Sequence, residues 1–326
     1  MSVPAGPPNA TALPAGFDDL RLSRITVGEI SLRVRVGGSG PPLLLLHGYP
    51  ETHLAWSLVA GDLAEEFTVV APDLRGYGDS SKPPPVPGHE NHGKRAMAED
   101  CIALMSRLGF DRFDVVGHDR GGRVAYRMAL DSPGTVRRLT VMDVVPTGEV
   151  WARADARFAL AYWHWGFLAQ PHPIPERLIE RDPEFFFLDA EFGGAIRGFP
   201  AAAVADYARC VRDPAAIEAM CEDYRAGATC DRQWDDEDRA AGRRITCPTQ
   251  VLWAGRGRWR PGTTPSRSGA TGPMTSAVRR WTVVTSWSRS SRARPWRPSG
   301  VSTQENGSRA GRRSRRSGAP QPTGVT

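Results

Sequence analysis

A glycine-punctuated turn constrains this chain more than any other stretch. Phe113 to Val116 is a mostly apolar run, Val124 to Leu130 has helical character, and between them lies Gly117-His118-Asp119-Arg120-Gly121-Gly122-Arg123. Gly-x-Asp-x-Gly-Gly is the spacing of a nucleophile elbow, the sharp strand-to-helix turn that lifts one reactive side chain above a parallel sheet. Such a turn leaves no room for side chains at Gly117 and Gly121. The helix that follows aims its first backbone N–H groups at the reactive atom. The occupant is Asp119 instead of serine, and a carboxylate nucleophile attacks carbon to leave an ester on the enzyme. The plainer alternative is a glycine-rich strand–helix connection with no chemistry.

The chain has 326 residues and 40% hydrophobic content, enough for one large α/β domain with an insertion or for two modest domains. No apolar run reaches membrane-spanning length. Residues 1–16 are rich in Pro and Ala and read as a disordered leader, not a signal peptide. Cys101, Cys210, Cys221, Cys230 and Cys247 are odd in number and form no CxxC pair, which argues for free thiols in a reducing cytoplasm and against a zinc site.

Leu20 to Val27 and Glu29 to Val36 largely alternate apolar and polar residues about Gly28 and predict an opening hairpin. Leu43 to Leu46 is apolar on both faces, as a buried parallel strand must be. It ends in His47-Gly48-Tyr49-Pro50, a loop type that offers a backbone N–H, here that of Tyr49, toward the reacting centre; His47 reads as a brace for the loop. Trp56 to Ala64 looks helical, Phe67 to Ala71 is the next strand, and residues 72–80 form a glycine-rich turn without a P-loop ending. Ala96 to Leu108 has helical spacing, and Leu139 to Met142 is a strand closing on Asp143. From Gly148 to about Arg244 strand signals vanish and aromatics cluster, so residues 148–245 read as a helical cap inserted into a core formed by residues 17–147 and by a returning strand at residues 246–254.

Over about Phe17 to Trp253 the chain resembles the α/β-hydrolase haloacetate (fluoroacetate) dehalogenases, and it is similar more distantly to epoxide hydrolases and haloalkane dehalogenases. Three stretches carry the resemblance: His118-Asp119-Arg120-Gly121-Gly122-Arg123; Tyr162-Trp163-His164-Trp165 with Phe167-Leu168-Ala169-Gln170-Pro171; and Cys221-Glu222-Asp223-Tyr224-Arg225-Ala226-Gly227. The implied fold is a mostly parallel sheet flanked by helices with an inserted helical cap. The implied reaction is displacement of halide from a haloacetate by Asp119, then hydrolysis of the ester to glycolate. Arg120 and Arg123 would clamp the substrate carboxylate, since a guanidinium is planar, permanently charged and suited to bidentate pairing. His164, Trp165 and Tyr224 would donate to the departing halide, and the Tyr49 and Arg120 N–H groups would lie near the reacting centre. Asp143, twenty-four residues beyond Asp119, matches the acid that orients a catalytic histidine. No cofactor and no metal is implied; the partners are a small haloacid and water, with no membrane, nucleic acid disfavoured and a homodimer left open.

The histidine that Asp143 should orient follows the last core strand in this fold, yet the seven histidines are His47, His53, His89, His92, His118, His164 and His172. Fifteen of the 42 basic residues but only one of the 36 acids, Glu305, lie beyond Gly255, so residues 1–254 hold 27 basic and 35 acidic side chains and a net charge of −8. Residues 255–326 are rich in Arg, Ser, Gly and Pro, with only Trp281 to Thr285 strand-like. This tail reads as the product of a frameshift near codon 254, which would leave the C-terminal part of the core missing or aberrant and the enzyme impaired. Competing readings are an epoxide hydrolase, which would use paired cap tyrosines as acids, and a decayed, non-catalytic hydrolase whose basic tail binds nucleic acid.

Overall fold

Four consecutive leucines set the centre of the sheet. Leu43 to Leu46 are buried on both faces of β3 (Pro42–Leu46), a position open only to a strand covered by helices on both sides. The computed structural model describes residues 13, 14 and 16–252. The leader up to residue 12, Ala15, and the whole arginine-rich tail with its Trp281–Thr285 segment lie outside the described residues.

The hairpin is β1 (Arg21–Val27) and β2 (Ile30–Gly37), paired antiparallel from Arg21↔Val36 to Val27↔Ile30. With β4 (Thr68–Pro72), β5 (Phe113–His118), β6 (Val136–Met142) and β7 (Thr249–Leu252) it completes one sheet in the order β1-β2-β4-β3-β5-β6-β7. From β4 to β7 all neighbours are parallel. Leu46 pairs with Gly117 and His118 with Met142, so β3, β5 and β6 finish side by side. Their C-terminal ends carry His47-Gly48, Asp119 and Asp143 respectively, at the edge where open α/β sheets bind ligands.

The expected helix over Trp56–Ala64 is instead a 3-10 turn, His53–Trp56, followed by the short α1 (Ala60–Ala64). Asp73 explains the break: its Oδ1 accepts both the His53 backbone N–H (2.8 Å) and a bond at His53 Nδ1 (2.7 Å), and Thr52 Oγ1 caps Leu54. The same carboxylate closes the glycine-rich turn by accepting the Asp79 N–H at 3.1 Å, so that turn is a brace. The sheet is flanked by α2 (Lys94–Arg107) and α3 (Asp119–Asp131).

Between β6 and β7 the described chain is helical: α4 (Thr147–Ala152), α5 (Ala156–Ala161), α6 (Trp163–Leu168), α7 (Ile174–Ile179), a π-helical turn (Phe185–Glu191), a 3-10 stretch (Gly193–Gly198), α8 (Ala201–Cys210), α9 (Pro214–Ala228) and α10 (Cys230–Ala240). Buried ion pairs dock this insertion. Arg127 on α3 donates to Asp235 (2.7 Å) and Asp238 (2.6 Å) on α10, and Asp235 also accepts the Tyr126 hydroxyl and the Gly148 N–H. Because Arg127 is 2% exposed, deleting Asp235 weakens the compensation of a buried charge, left to Asp238 and Asp131, and strands the Gly148 N–H. Asp235→Ala is therefore expected to cost about 3–5 kcal/mol of unfolding free energy, read as a lower urea midpoint.

Candidate active site

The elbow depends on backbone contact. A Cβ on Gly117 would meet the Gly121 carbonyl oxygen at 2.4 Å, and one on Gly121 would meet the Leu46 carbonyl oxygen at 2.3 Å. Both obstacles are main chain, so neither can turn aside. Asp119 sits between them at φ +46°, a left-handed conformation that Asp tolerates better than most side-chain-bearing residues. It is the first residue of α3, where the helix dipole favours a carboxylate. The neighbouring loop closes to 3.1 Å: the Tyr49 N–H donates to Asp119 Oδ2. Gly48 permits that approach, since its Cβ would stand 2.9 Å from Asp119 Cβ.

His47 holds this loop as expected. Its Nε2 accepts the Leu74 N–H (3.0 Å), which leaves Nδ1 to donate to the Gly48 carbonyl (2.7 Å). That neutral tautomer agrees with burial pulling its pKa down. Glu51 Oε2 accepts the Gly48 N–H at 2.9 Å and lies 3.4 Å from His118 Nδ1. Burial opposes charge on His118, but Glu51, with Asp119 and Asp143, outweighs it and raises the pKa to about 9. For Asp119, burial again works against the charge. His118, Arg120, Arg123 and the Tyr49 N–H overcome it and hold this carboxyl below its ordinary value.

Above Asp119 lies a cavity of about 320 Å³ whose wall combines both parts of the chain. The sheet side supplies Tyr49, Asp119, Arg123 and Asp143; the insertion supplies Tyr162, His164, Trp165, Glu191 and Tyr224. Asp143 ends β6 at φ +50°, and its backbone N–H donates to the Leu252 carbonyl on β7. His164, Trp165 and Tyr224 converge as ring neighbours: His164 stands edge-on to Tyr224 at 5.7 Å and stacks on Tyr49 at 6.0 Å, and Trp165 meets Tyr224 at 6.0 Å.

The two arginines occupy different settings. Arg123 lines the cavity with its guanidinium 4.6 Å from the Trp165 ring centroid, and its Nη1 donates to the Val145 carbonyl and Thr147 Oγ1. Among the described residues no acidic side chain pairs with it. Arg120 is not on the cavity wall. Its guanidinium lies 3.5 Å from the Tyr224 ring centroid, and Nη1 reaches Asp223 Oδ1 at 3.4 Å. Asp223 is also bound by the Lys94 ammonium and by the Tyr77 hydroxyl (2.5 Å). Among the described residues, Nε and Nη2 of Arg120 and Nε of Arg123 are buried without hydrogen-bond partners.

Sequence reasoning passed over Glu51, Asp223 and Glu191. Asp223 stood inside a quoted motif, but nothing in the motif pointed it at Arg120. Glu191 follows a Phe-rich run and reads as an ordinary helix-end acid, yet its Oε2 is 2.9 Å from His164 Nδ1 on the cavity wall. Among the described residues no group of three or more His, Cys, Asp or Glu side chains is arranged to hold a metal ion, and no helix is long and apolar enough to cross a membrane.

Comparison with known proteins agrees with this architecture. Residues 41–258 match the family defined by the alpha/beta hydrolase fold. The chain is 48% identical over 239 residues to the fluoroacetate dehalogenase of Burkholderia sp., covering 72% of this chain and 78% of that one. It is 36% identical over 225 residues to the soluble epoxide hydrolase of Corynebacterium sp. (strain C12), covering 67% and 75%. Among solved structures, an α/β hydrolase from Nostoc sp PCC 7120 aligns with a TM-score of 0.71 at 47% identity, covering 74% of this chain and 83% of that one. The elbow, the parallel sheet that presents it and these matches together establish that the chain belongs to the α/β-hydrolase family.

Proposed function

We propose that Asp119 displaces halide from the α-carbon of a small haloacid. The observation that carries this reading is the pairing, in one cavity, of an ionised elbow carboxylate with Arg123, a buried cation that no acidic side chain meets in a salt bridge among the described residues. A substrate carboxylate supplies Arg123 with a direct ion-pair partner, and Arg120 adds positive potential from behind Tyr224. With Oδ2 held by the Tyr49 N–H, the other carboxylate oxygen forms the new C–O bond. The C–halogen bond breaks in line, and the halide leaves with the bonding pair toward His164, Trp165 and Tyr224. The fluoroacetate named for the Burkholderia relative belongs to this substrate class.

The ester on Asp119 must then be hydrolysed by an activated water. Asp143 is the acid that would orient a histidine base in this reading, but no histidine follows His172 in the sequence. His118 is a poor substitute, because a pKa raised to about 9 keeps it protonated at neutrality. The proposed outcome is a protein that is alkylated readily and deacylates slowly.

An epoxide substrate is the second reading, favoured by Tyr162 and Tyr224 on the same wall. Burial raises both phenols, so both keep the proton that an opening epoxide would take. Styrene oxide and chloroacetate, offered to the same preparation, separate the two readings by which one marks Asp119.

Halide released from chloroacetate is expected to level off at no more than one ion per polypeptide, with a carboxymethyl ester on Asp119 in the peptide mass map. Sustained turnover would overturn the proposed slow second step. Arg123→Met should slow ester formation roughly 10- to 100-fold, the worth of a charge-assisted hydrogen bond, with the loss in affinity for the haloacid. Because the Asp119 pKa is lowered, its nucleophilic form persists as pH falls. The alkylation rate should therefore stay level through the ordinary carboxylate range and fall only at more acidic pH. It should decline again as pH rises through about 9, where His118 loses its positive charge.

A further inference from the structure

We infer that Glu191 is a positioning residue that turns His164 into a hydrogen-bond donor for the departing halide; the inference rests on the haloacid reading above. Glu191 ends the π-helical turn, with its side chain 8% exposed and Oε2 at 2.9 Å from His164 Nδ1. The His164 ring is fixed from two further sides, by stacking on Tyr49 and by the Tyr224 edge. Nδ1 is committed to Glu191, so Nε2 is the atom left for a ligand.

The identity of the Nδ1 partner decides what Nε2 can do. A neutral imidazole that donates from Nδ1 presents a lone pair at Nε2, which repels an anion. A ring that donates from both nitrogens is cationic and, inside a cavity wall, needs a counter-charge. The Glu191 carboxylate, 2.9 Å from Nδ1, is placed to supply that counter-charge. Two polar atoms on the same wall, Glu191 Oε1 and the Tyr49 hydroxyl, are buried without hydrogen-bond partners among the described residues, as a surface completed by a ligand or its water would be. Glu191 touches no reacting atom; it acts through His164, as an outer carboxylate fixes the ring and donor character of a histidine ligand.

This role predicts selectivity among leaving groups. Fluoride holds its water most tightly and departs only if donors replace that water, whereas bromide departs with little help. The experiment follows Asp119 ester formation by peptide mass in the full chain with fluoroacetate and with bromoacetate. Glu191→Gln keeps the shape and loses the charge; it should slow the fluoroacetate reaction roughly 10²-fold, the scale of a lost transition-state donor, and the bromoacetate reaction far less. Glu191→Asp should recover most of the fluoroacetate rate. Equal slowing with both haloacetates, or none, would assign Glu191 a purely structural role and overturn the inference while leaving the haloacid reading intact. A wild-type chain inert to both haloacetates would instead sink that reading itself.

Discussion

Main chain pressed against main chain at the elbow is the constraint on which the rest of the molecule depends. Gly117 lies against Gly121, and Gly121 lies against the carbonyl oxygens of Leu46 and His47. These contacts lock the end of β5 to the end of β3 and force Asp119 into a left-handed conformation of the kind that costs of order 1–3 kcal/mol. The surrounding structure supplies the compensation. Parallel register fixes Leu46 opposite Gly117, four buried leucines anchor β3, and the Tyr49 N–H meets the raised carboxylate.

Electrostatics then tie the helical insertion to that fixed point. Arg127 is held by Asp235 and Asp238, Lys94 by Asp223 and Asp231, and Arg209 of α8 by Asp79 in the braced turn. The first two sets are buried, where ion pairs add little net stability but punish misdocking severely, because a slipped helix strands a charge in a low dielectric. Asp223 immediately precedes Tyr224 and engages Arg120, which immediately follows Asp119. One buried interaction thus ties a cavity-wall tyrosine to the helix that begins at Asp119.

The cavity itself is a balance of charge. Burial alone would protonate Asp119 and discharge His118; instead the aspartate is held ionised and the histidine cationic, each by neighbours of opposite sign. Glu51 is the quiet member of this set. It holds the Gly48 N–H in place and favours charge on the ring beside Asp119 with the same oxygen. Loop geometry and the electrostatics of Asp119 are therefore a single arrangement.

Local chemistry made much of this legible in the amino-acid sequence. Glycine spacing announces the elbow because only glycine survives backbone contact, and the apolar runs at Leu43–Leu46, Phe113–Val116 and Leu139–Met142 mark buried parallel strands because no polar face is needed there. The aromatic cluster of Tyr162-Trp163-His164-Trp165 and the absence of any histidine after His172 are equally plain in one dimension. What only the tertiary structure decided is which charges meet. Arg120 and Arg123, three residues apart on one helix, read as twins. The fold turns Arg120 toward Asp223, 103 residues away, and leaves Arg123 on the cavity, while Glu191 reaches His164 across the insertion. Such pairings arise from helix packing over long sequence separations, and no local pattern of residues encodes which side chain will face which.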